Sequence, residues 1–141
     1  MIIKQLSIFL ENKSGRLTQV TEVLADAGIN ISALSIADTA EYGILRLIVS
    51  NPDKAVETLK KHDFTVNQTN VIGLMVPHQP GGLAKALRIL SDAQVSIEYM
   101  YAFEFGEKAS VIIRTEEPER AIETLQNHKM ELLKASQIYQ I

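Results

Sequence analysis

The chain has 141 residues, a formal net charge of −3 and no cysteine. Hydrophobic residues make up 46% of it and charged residues 22%, a balance typical of folded globular proteins rather than of disordered ones. The lack of cysteine excludes disulfides, cysteine-based zinc sites and thiol nucleophiles, and the acidic balance disfavours binding to nucleic acid or to an anionic membrane. Because no apolar run approaches the roughly 18 residues that a membrane span needs, we expect a cytoplasmic protein that does not bind a membrane.

The sequence repeats itself without a gap. A constant offset of 66 residues aligns Gly15 with Gly81, Pro52 with Pro118, and His62 with His128. One register held over such a length predicts two copies of the same structural unit. We therefore expect two domains, a first unit over residues 1–68 and a second over residues 69–141.

Hydrophobic periodicity and breaker residues predict the same elements in both copies. The first copy is expected to contain, in chain order, a strand (Lys4–Leu10), a helix (Leu17–Ala27) ended by Gly28, a strand from Ile29 with a bulge near Ser32-Ala33, a turn at Tyr42-Gly43, a central strand (Ile44–Val49), a helix begun by Asn51-Pro52-Asp53, and a strand (Phe64–Thr69). The second copy is expected to contain a strand (Val71–Val76), a helix (Leu83–Ala93), two strands (Val95–Phe105 and Val111–Arg114), a helix (Glu119–His128) and a strand (Leu132–Ile138). Between the copies, Thr65 to Val76 is predicted as a nearly continuous extended segment.

The order β-α-β-β-α-β in each copy predicts an α+β fold: two ferredoxin-like units, each a four-stranded antiparallel sheet with two helices on one face. RNA-recognition motifs share this order, but they carry stacking aromatic residues on the first and third strands. In the first copy only Phe9 fits that pattern, and the predicted third strand has no aromatic residue, so RNA binding is disfavoured. An acylphosphatase-like activity is disfavoured as well, because no arginine loop that could cradle a phosphate is recognisable.

Few residues suit catalysis or metal binding. The chain has three histidines, and His62 and His128 are both expected at the C-terminal end of a helix, where an imidazole complements the helix dipole. Ser14 lies outside any nucleophile-elbow motif, and Gly81-Gly82 lacks the lysine of a phosphate-binding loop. We therefore predict a protein that is not an enzyme and that needs no metal or cofactor.

The loops before the first helix of each copy are the most informative segments. Residues 11–17 and 77–83 each place glycine before a helix, which leaves first-turn N–H groups directed outward at the positive end of the helix dipole. Those donors suit a carboxylate. Asn12 offers an amide to an α-amino or carboxylate group, and we expect Asn30, at the start of the second strand, near the same end of the sheet. The alternative is that Asn12 and Ser14 only cap the helix and that nothing binds.

The same segments carry a resemblance to a known family. The pattern Glu11-Asn12-x-x-Gly15-x-Leu17, the helix end Asp26-Ala27-Gly28 and the segment Ile29-Asn30-Ile31 resemble the ACT domain family, and the likeness extends over both copies. The resemblance implies the ferredoxin-like fold and a regulatory protein that senses an amino acid or a similar small ligand, bound between two ACT units. It also implies control of a separate metabolic enzyme, through a partner complex or a homo-oligomer, because no catalytic domain is attached.

Carried over by position, the resemblance implies ligand contacts at Asn12, Ser14, Gly15, Arg16, Leu17, Asn30 and Ile31 in the first copy, and at His78, Gly81, Gly82, Leu83 and Ser96 in the second. The two sets differ. Ser14 replaces a proline that Pro80 keeps, and His78 and Ser96 replace the two asparagines, so the two sites need not both be occupied. Leu10 stands where serine-sensing members carry a histidine, which argues against serine as the ligand.

Four aromatic residues at period two form a stripe in the second strand of the second copy: Tyr99, Tyr101, Phe103 and Phe105. This is an edge strand of the predicted sheet, and its rings face away from the helices if a bulge falls between Ile97 and Met100. We expect the stripe to pack against another unit or chain; the alternative is that a ring lines a ligand pocket. For the chain as a whole, the alternative to a sensor is a structural assembly module without a ligand.

Overall fold

The computed structural model describes residues 1–38 and 41–140, with the side chains of all of these except Asp38 and Phe105. Its elements are, in chain order, β1 (Ile2–Glu11), α1 (Arg16–Asp26), β2 (Ile31–Asp38), β3 (Tyr42–Val49), α2 (Pro52–Lys61), β4 (Thr65–Pro77), α3 (Gly82–Asp92), β5 (Tyr99–Phe105), β6 (Lys108–Arg114), α4 (Pro118–Asn127), β7 (Glu131–Leu133) and α5 (Ala135–Ile138). The predicted α+β class is confirmed, and β4 confirms the predicted extended segment. None of the described helices is long and apolar enough to cross a membrane.

The chain divides into two compact units. The N-terminal unit comprises Lys4–Thr69 and Ser136–Ile141, and the C-terminal unit comprises Met1–Ile3 and Asn70–Ala135. The division of the sequence into residues 1–68 and 69–141 stays a prediction about the repeated copies.

In the N-terminal unit, β3 is the central strand between β1 and β2. Both neighbours run antiparallel to it, and Leu47 lies opposite Leu6 in β1 and opposite Leu34 in β2. Because β1 and β2 are both antiparallel to the same strand, they run in the same direction. One face of the sheet packs against α1 and α2 to form a core. The sheet contributes Leu6, Ile8, Leu10, Leu45, Leu47 and Val49, and the helices contribute Val20, Leu24, Ala55 and Leu59.

The C-terminal unit repeats this arrangement. Strand β6 lies between β4 and β5, and β4 pairs on its other side with β7, which gives an antiparallel sheet of four strands. Its core with α3 and α4 consists of Ile72, Leu74, Val76, Ala86, Leu90, Val95, Val111, Ile113, Ala121 and Leu125.

The predicted helix-ending glycine and the predicted bulge are both found. Gly28 follows α1 with a φ of +73°, and the pairing of β2 with β3 shifts register between Ile31 and Ala33, where the bulge was expected. At the position equivalent to Gly28, Gln94 adopts the same left-handed conformation with a φ of +59°. An L-residue is less stable there than glycine.

The helix-end signals also act as predicted. The Asn51 side chain accepts a hydrogen bond from the Lys54 amide at 3.2 Å, with Pro52 at the first helical position. His62 and His128 follow α2 and α4, and Nδ1 of each lies 2.9 Å from a carbonyl oxygen of the preceding turn. Both histidines therefore have a structural role at a helix end.

The predicted turn at Tyr42-Gly43 is wrong. Both residues belong to β3, where Tyr42 pairs with Glu11 and Gly43 with Leu10. Pairing with β1 extends the strand through the glycine and brings the Tyr42 ring to 5.1 Å from the ring of Phe9. Strand β3, the third strand of the first copy, therefore does carry an aromatic residue, contrary to the prediction. Its ring contacts the Phe9 ring of the first strand.

Two strand boundaries in the second copy are also wrong. Strand β5 begins at Tyr99 and not at Val95, because its partner β6 ends at Arg114, the residue opposite Tyr99. The last strand ends at Leu133, since β7 has only three partners in β4. The chain then forms the short helix α5, whose Ile138 is fully buried.

Among the described strands, β5 pairs with β6 alone, which confirms it as an edge strand. Tyr101 lies opposite Ile112 and Phe103 opposite Ser110, and both partners alternate with the core residue Val111. Directly opposed residues share a face, so these two rings lie on the face away from the helices, as predicted. The side chain of Phe105 lies outside the described part of the chain.

Candidate functional site

The two loops singled out in the sequence have the same geometry. Gly15 precedes α1 with a φ of +90°, and Gly81 precedes α3 with a φ of +87°. Neither helix has a side-chain cap among the described residues. The alternative in which Asn12 or Ser14 caps α1 is therefore not found. The first backbone N–H of each helix is already bonded, since Arg16 donates to the Lys13 carbonyl and Gly82 to the Gln79 carbonyl. A ligand can therefore bond only the following N–H groups of the turn, which lack partners inside a helix.

Beside the second loop lies a cavity of about 370 Å³, the C-terminal pocket. His78 and Gln79 of the loop and Leu83 of the first turn of α3 form one side of it, while Ala102 and Glu104 of β5 form another. Ala102 pairs with Val111 and Glu104 with Ala109, which also line the pocket. A volume above about 300 Å³ lies within the range of small-molecule sites.

The first loop borders a smaller cavity of about 160 Å³, the N-terminal pocket. Asn12, Lys13 and Leu17 line it, and each is the equivalent, 66 residues earlier, of a residue that lines the C-terminal pocket. The opposite wall is formed by Ile36, which occupies the position of Ala102. The repeat has therefore produced two equivalent pockets of different size.

The charges around the two pockets also differ. Of the described residues that line the C-terminal pocket, Glu104 alone carries a formal charge when histidine is counted as neutral. The N-terminal pocket has Glu11 and Lys13, whose charged atoms lie 3.7 Å apart. Within the described chain, no group of three potential metal ligands comes together.

The structure does not bring the two halves of the predicted site together within one unit. The backbone N–H of Asn12 donates to the Glu41 carbonyl beside the start of β3. The backbone N–H of Ser50, beyond the end of β3, donates to the Asn30 carbonyl. Nine residues of extended chain separate these points by roughly 30 Å. The expectation that Asn30 lies at the same end of the sheet as the loop is wrong, because β1 and β2 run in the same direction.

Ile31, which opens β2, and Ser96, the equivalent of Asn30 in the second copy, also lie away from the loops. Ile31 pairs with Val49, at the end of β3 remote from the loop. Ser96 lies between α3 and β5 and lines a separate hollow with Gln94 and Ile97. Of the predicted site residues, Asn12 and Leu17 line the N-terminal pocket, and His78 and Leu83 line the C-terminal pocket. The other predicted residues line neither of these two pockets.

The other predicted residues have different surroundings. The Arg16 guanidinium lies 4.7 Å from the centre of the Phe64 ring and donates to Gln19, away from the N-terminal pocket. Ser14 lies in the loop just before Gly15 and lines neither pocket. Gly81 and Gly82 border a second hollow beside the C-terminal pocket. A Cβ atom at Gly82 would lie 2.3 Å from the Pro77 carbonyl oxygen, so only glycine fits there.

Sequence analysis missed Ile36 in β2 and Ala102 and Glu104 in β5. Its alternative for the aromatic stripe, that a ring lines a pocket, is confirmed at Phe103, which lines the C-terminal pocket. A signal for the missed residues exists in the topology. When β1 and β2 run in the same direction, the end of β2, and not its start, lies beside the loop that follows β1. Counting strand directions would have placed residues 36 and 102 at the loop.

Comparison with known proteins agrees with the predicted resemblance. A family model described as an ACT domain pair matches residues 1–141. A crystal structure of a protein from Bacteroides thetaiotaomicron is 55% identical, has a TM-score of 0.96 and is matched over 100% of this chain and 98% of its own. No curated protein matched the chain.

More distant structures share the fold. The regulatory subunit of aspartate kinase from Thermus thermophilus, in its ligand-free form, is 17% identical with a TM-score of 0.67, over 88% of this chain and 91% of its own. The corresponding subunit from Thermus flavus is 16% identical with a TM-score of 0.62, over 88% and 90%.

Proposed function

The chain belongs to the family of ACT domain pairs, and we propose that it is a regulatory protein that binds a free amino acid at the loop pockets and thereby controls a separate enzyme. The observation that carries this proposal is the pair of equivalent pockets, each next to a helix that begins at a left-handed glycine without a side-chain cap.

The chemistry of the pockets supports an amino acid as the ligand. Uncapped N–H groups at the start of an 11-residue helix stabilise a carboxylate. Each pocket also has a polar side chain of the loop in its lining, Asn12 in one unit and His78 in the other, which we propose contacts a second polar group of the ligand. Leu17 and Leu83 provide apolar surface for a side chain.

A regulatory role is supported by the family and by the fold. The fold is shared with proteins described as regulatory subunits of aspartate kinase. We propose that this chain senses the amino acid and that a metabolic enzyme on another chain responds.

A thermal-shift measurement with each of the twenty amino acids tests the proposal. A ligand at 100 times its dissociation constant stabilises the folded state by about 2.7 kcal/mol, which raises the melting temperature by several degrees. We expect at least one amino acid to do this. If none of the twenty shifts the transition at millimolar concentration, amino-acid sensing is wrong.

The loop is then tested by calorimetry with His78→Ala. Loss of one hydrogen bond to a charged group costs about 1.5–3 kcal/mol, so the dissociation constant should rise about tenfold or more. His128→Ala is the matched control, because His128 lies at the end of α4 and lines neither pocket. Equal affinities for the two variants would contradict binding at this loop.

A second candidate function is an assembly module that works without a ligand. The observation in its favour is the exposure of large apolar residues on edge strand β2, where Leu34 is 55% and Ile36 49% exposed. Such an edge favours association with another chain. Under this function, Leu34→Ser would change the mass in solution while no amino acid shifts the melting temperature.

A further inference from the structure

The two pockets are equivalent by sequence but unequal in space. Ala102 lies opposite Val111, and Ile36 lies opposite the equivalent Leu45. The isoleucine side chain has three more carbon atoms than alanine and projects from the same position. The C-terminal pocket accordingly measures about 370 Å³ and the N-terminal pocket about 160 Å³, of which only the first lies in the usual range for a small ligand.

The lining of the larger pocket limits the chemistry of what it holds. Its walls are mainly apolar, with the aliphatic residues Val76, Leu83, Ala102 and Val111 and the aromatic Phe103 among them. None of its described lining residues is a lysine or an arginine. An acidic side chain placed against these walls, in addition to the carboxylate held at the start of α3, would lose its hydration without meeting a cation, which is costly.

Glu104 gives the pocket a second constraint. It lies two residues after Ala102 on the same face of β5, opposite Ala109. A carboxylate at the rim of an aliphatic pocket attracts an ammonium group. The aliphatic walls then remain for the side chain of the ligand.

We infer that the C-terminal pocket is the ligand site of this chain and that it takes an amino acid with an uncharged, apolar side chain, its ammonium group held by Glu104. The inference rests on the proposed function and adds to it which of the two pockets works and which class of amino acid it selects. One ligand binds per chain.

Isothermal titration calorimetry of the full chain tests the inference. Valine, leucine, isoleucine, methionine and phenylalanine are titrated separately, and aspartate, glutamate and lysine serve as charged comparisons. We expect the strongest binding from an apolar amino acid, with a stoichiometry near one and an affinity at least tenfold above that of either acidic amino acid.

Two substitutions locate the binding. Ala102→Ile introduces the residue of the smaller pocket and should weaken binding at least tenfold, and Glu104→Gln should weaken it about tenfold. Met100→Ile is the matched control, because Met100 lies on the same face of the same strand, is 39% exposed and does not line the pocket. All three positions are exposed, so urea unfolding should show similar stability for all variants.

The outcomes separate the two proposals. If no amino acid binds, the proposed function and this inference both fail. If an amino acid binds but prefers an acidic side chain, binds twice per chain, or is unaffected by Ala102→Ile, the inference fails while amino-acid sensing stands.

Discussion

Gly73 lies in the middle of β4 at a point where the C-terminal unit has no room for a side chain. A Cβ atom added there would lie 2.8 Å from the Cβ of Leu133 and 2.9 Å from the Cδ1 of Ile3. Leu133 is 1% and Ile3 0% exposed, so neither side chain has space to move into. Because the Cβ of Leu133 is attached directly to the backbone of β7, Gly73→Ala must displace that strand.

The expected cost follows from these distances. Overpacking by a single methyl group costs about 1–3 kcal/mol, and the gain from replacing a flexible glycine in a strand offsets about 0.5–1 kcal/mol of it. Because the two added contacts are as short as 2.8 and 2.9 Å, the cost lies in the upper part of that range, about 2–3 kcal/mol, and we expect Gly73→Ala to lower the free energy of unfolding by about 1–2.5 kcal/mol. With an m-value of about 2 kcal/mol/M, the urea midpoint falls by about 0.5–1.2 M.

Gly43→Ala is the matched control in the same assay. It also lies inside a strand, but its added Cβ would meet only the Ala37 carbonyl oxygen at 3.7 Å and the Ile36 Cγ1 at 3.9 Å, which are ordinary contacts. The equivalent position in the second copy is already alanine, Ala109. We expect Gly43→Ala to be neutral or slightly stabilising, and a Gly73→Ala variant as stable as the original chain would refute the packing argument.

Two further predictions concern the helices that follow the central strands. Asn51→Ala removes the cap of α2 and should cost about 1 kcal/mol in urea unfolding, whereas Glu117→Ala, at the equivalent position of α4 where no side-chain capping bond is present, should cost clearly less; equal losses would contradict the role of the cap. The hydrogen bond from Gln68 and the nearby Lys4 ammonium lower the pKa of Asp53, so the ionised carboxylate stabilises the folded state above the ordinary aspartate range and this contribution is lost as the pH falls through the lowered value. Asp53→Asn should therefore be less stable than the original chain at pH 7, and the difference should shrink toward pH 3; a difference that does not change with pH would show that the charge contributes nothing.

The parts of the fold that local chemistry controls could be predicted from the sequence. Asn51-Pro52-Asp53 combines a cap, a fixed φ and a charge that suits the helix dipole, so it predicts the start of α2 without any knowledge of the neighbours. The bulge in β2 could be predicted for a similar reason, because the apolar phase slips after Ile31. The 66-residue offset carries part of these signals to the second copy, where Pro118 opens α4 but Glu117 makes no side-chain capping bond.

Strand ends could not be predicted in this way, because the partner strand decides them. Tyr42-Gly43 has the composition of a turn, yet pairing with Leu10 and Glu11 keeps both residues extended. Val95 to Ile97 are apolar enough for a strand, yet β6 ends at Arg114 and offers them no partner. Local preference is weaker than the hydrogen bonds of an existing neighbour.

The candidate site likewise has one part that depends on local sequence and one part that depends on distant strands. The loop was predictable because the first turn of any helix has N–H groups without intrahelical partners, and a glycine just before the helix is a local signal of where it starts. The opposite wall, at Ile36 and Ala102, depends on the direction of two strands that are far apart in sequence. That wall also differs between the pockets, with Ile36 in the smaller and Ala102 in the larger, and its place in the site follows only once the strand directions are known.

Amide hydrogen exchange, measured on the full chain with and without a saturating concentration of the amino acid that stabilises it most, tests the central claim most directly. An amino acid whose carboxylate is held by the start of α3 gives the N–H groups of that turn an acceptor, and it covers the loop and the edge strand. The account predicts slower exchange in peptides covering residues 77–85 and 100–105 and unchanged exchange over α2. Protection confined to other segments, or none with any amino acid, would contradict it.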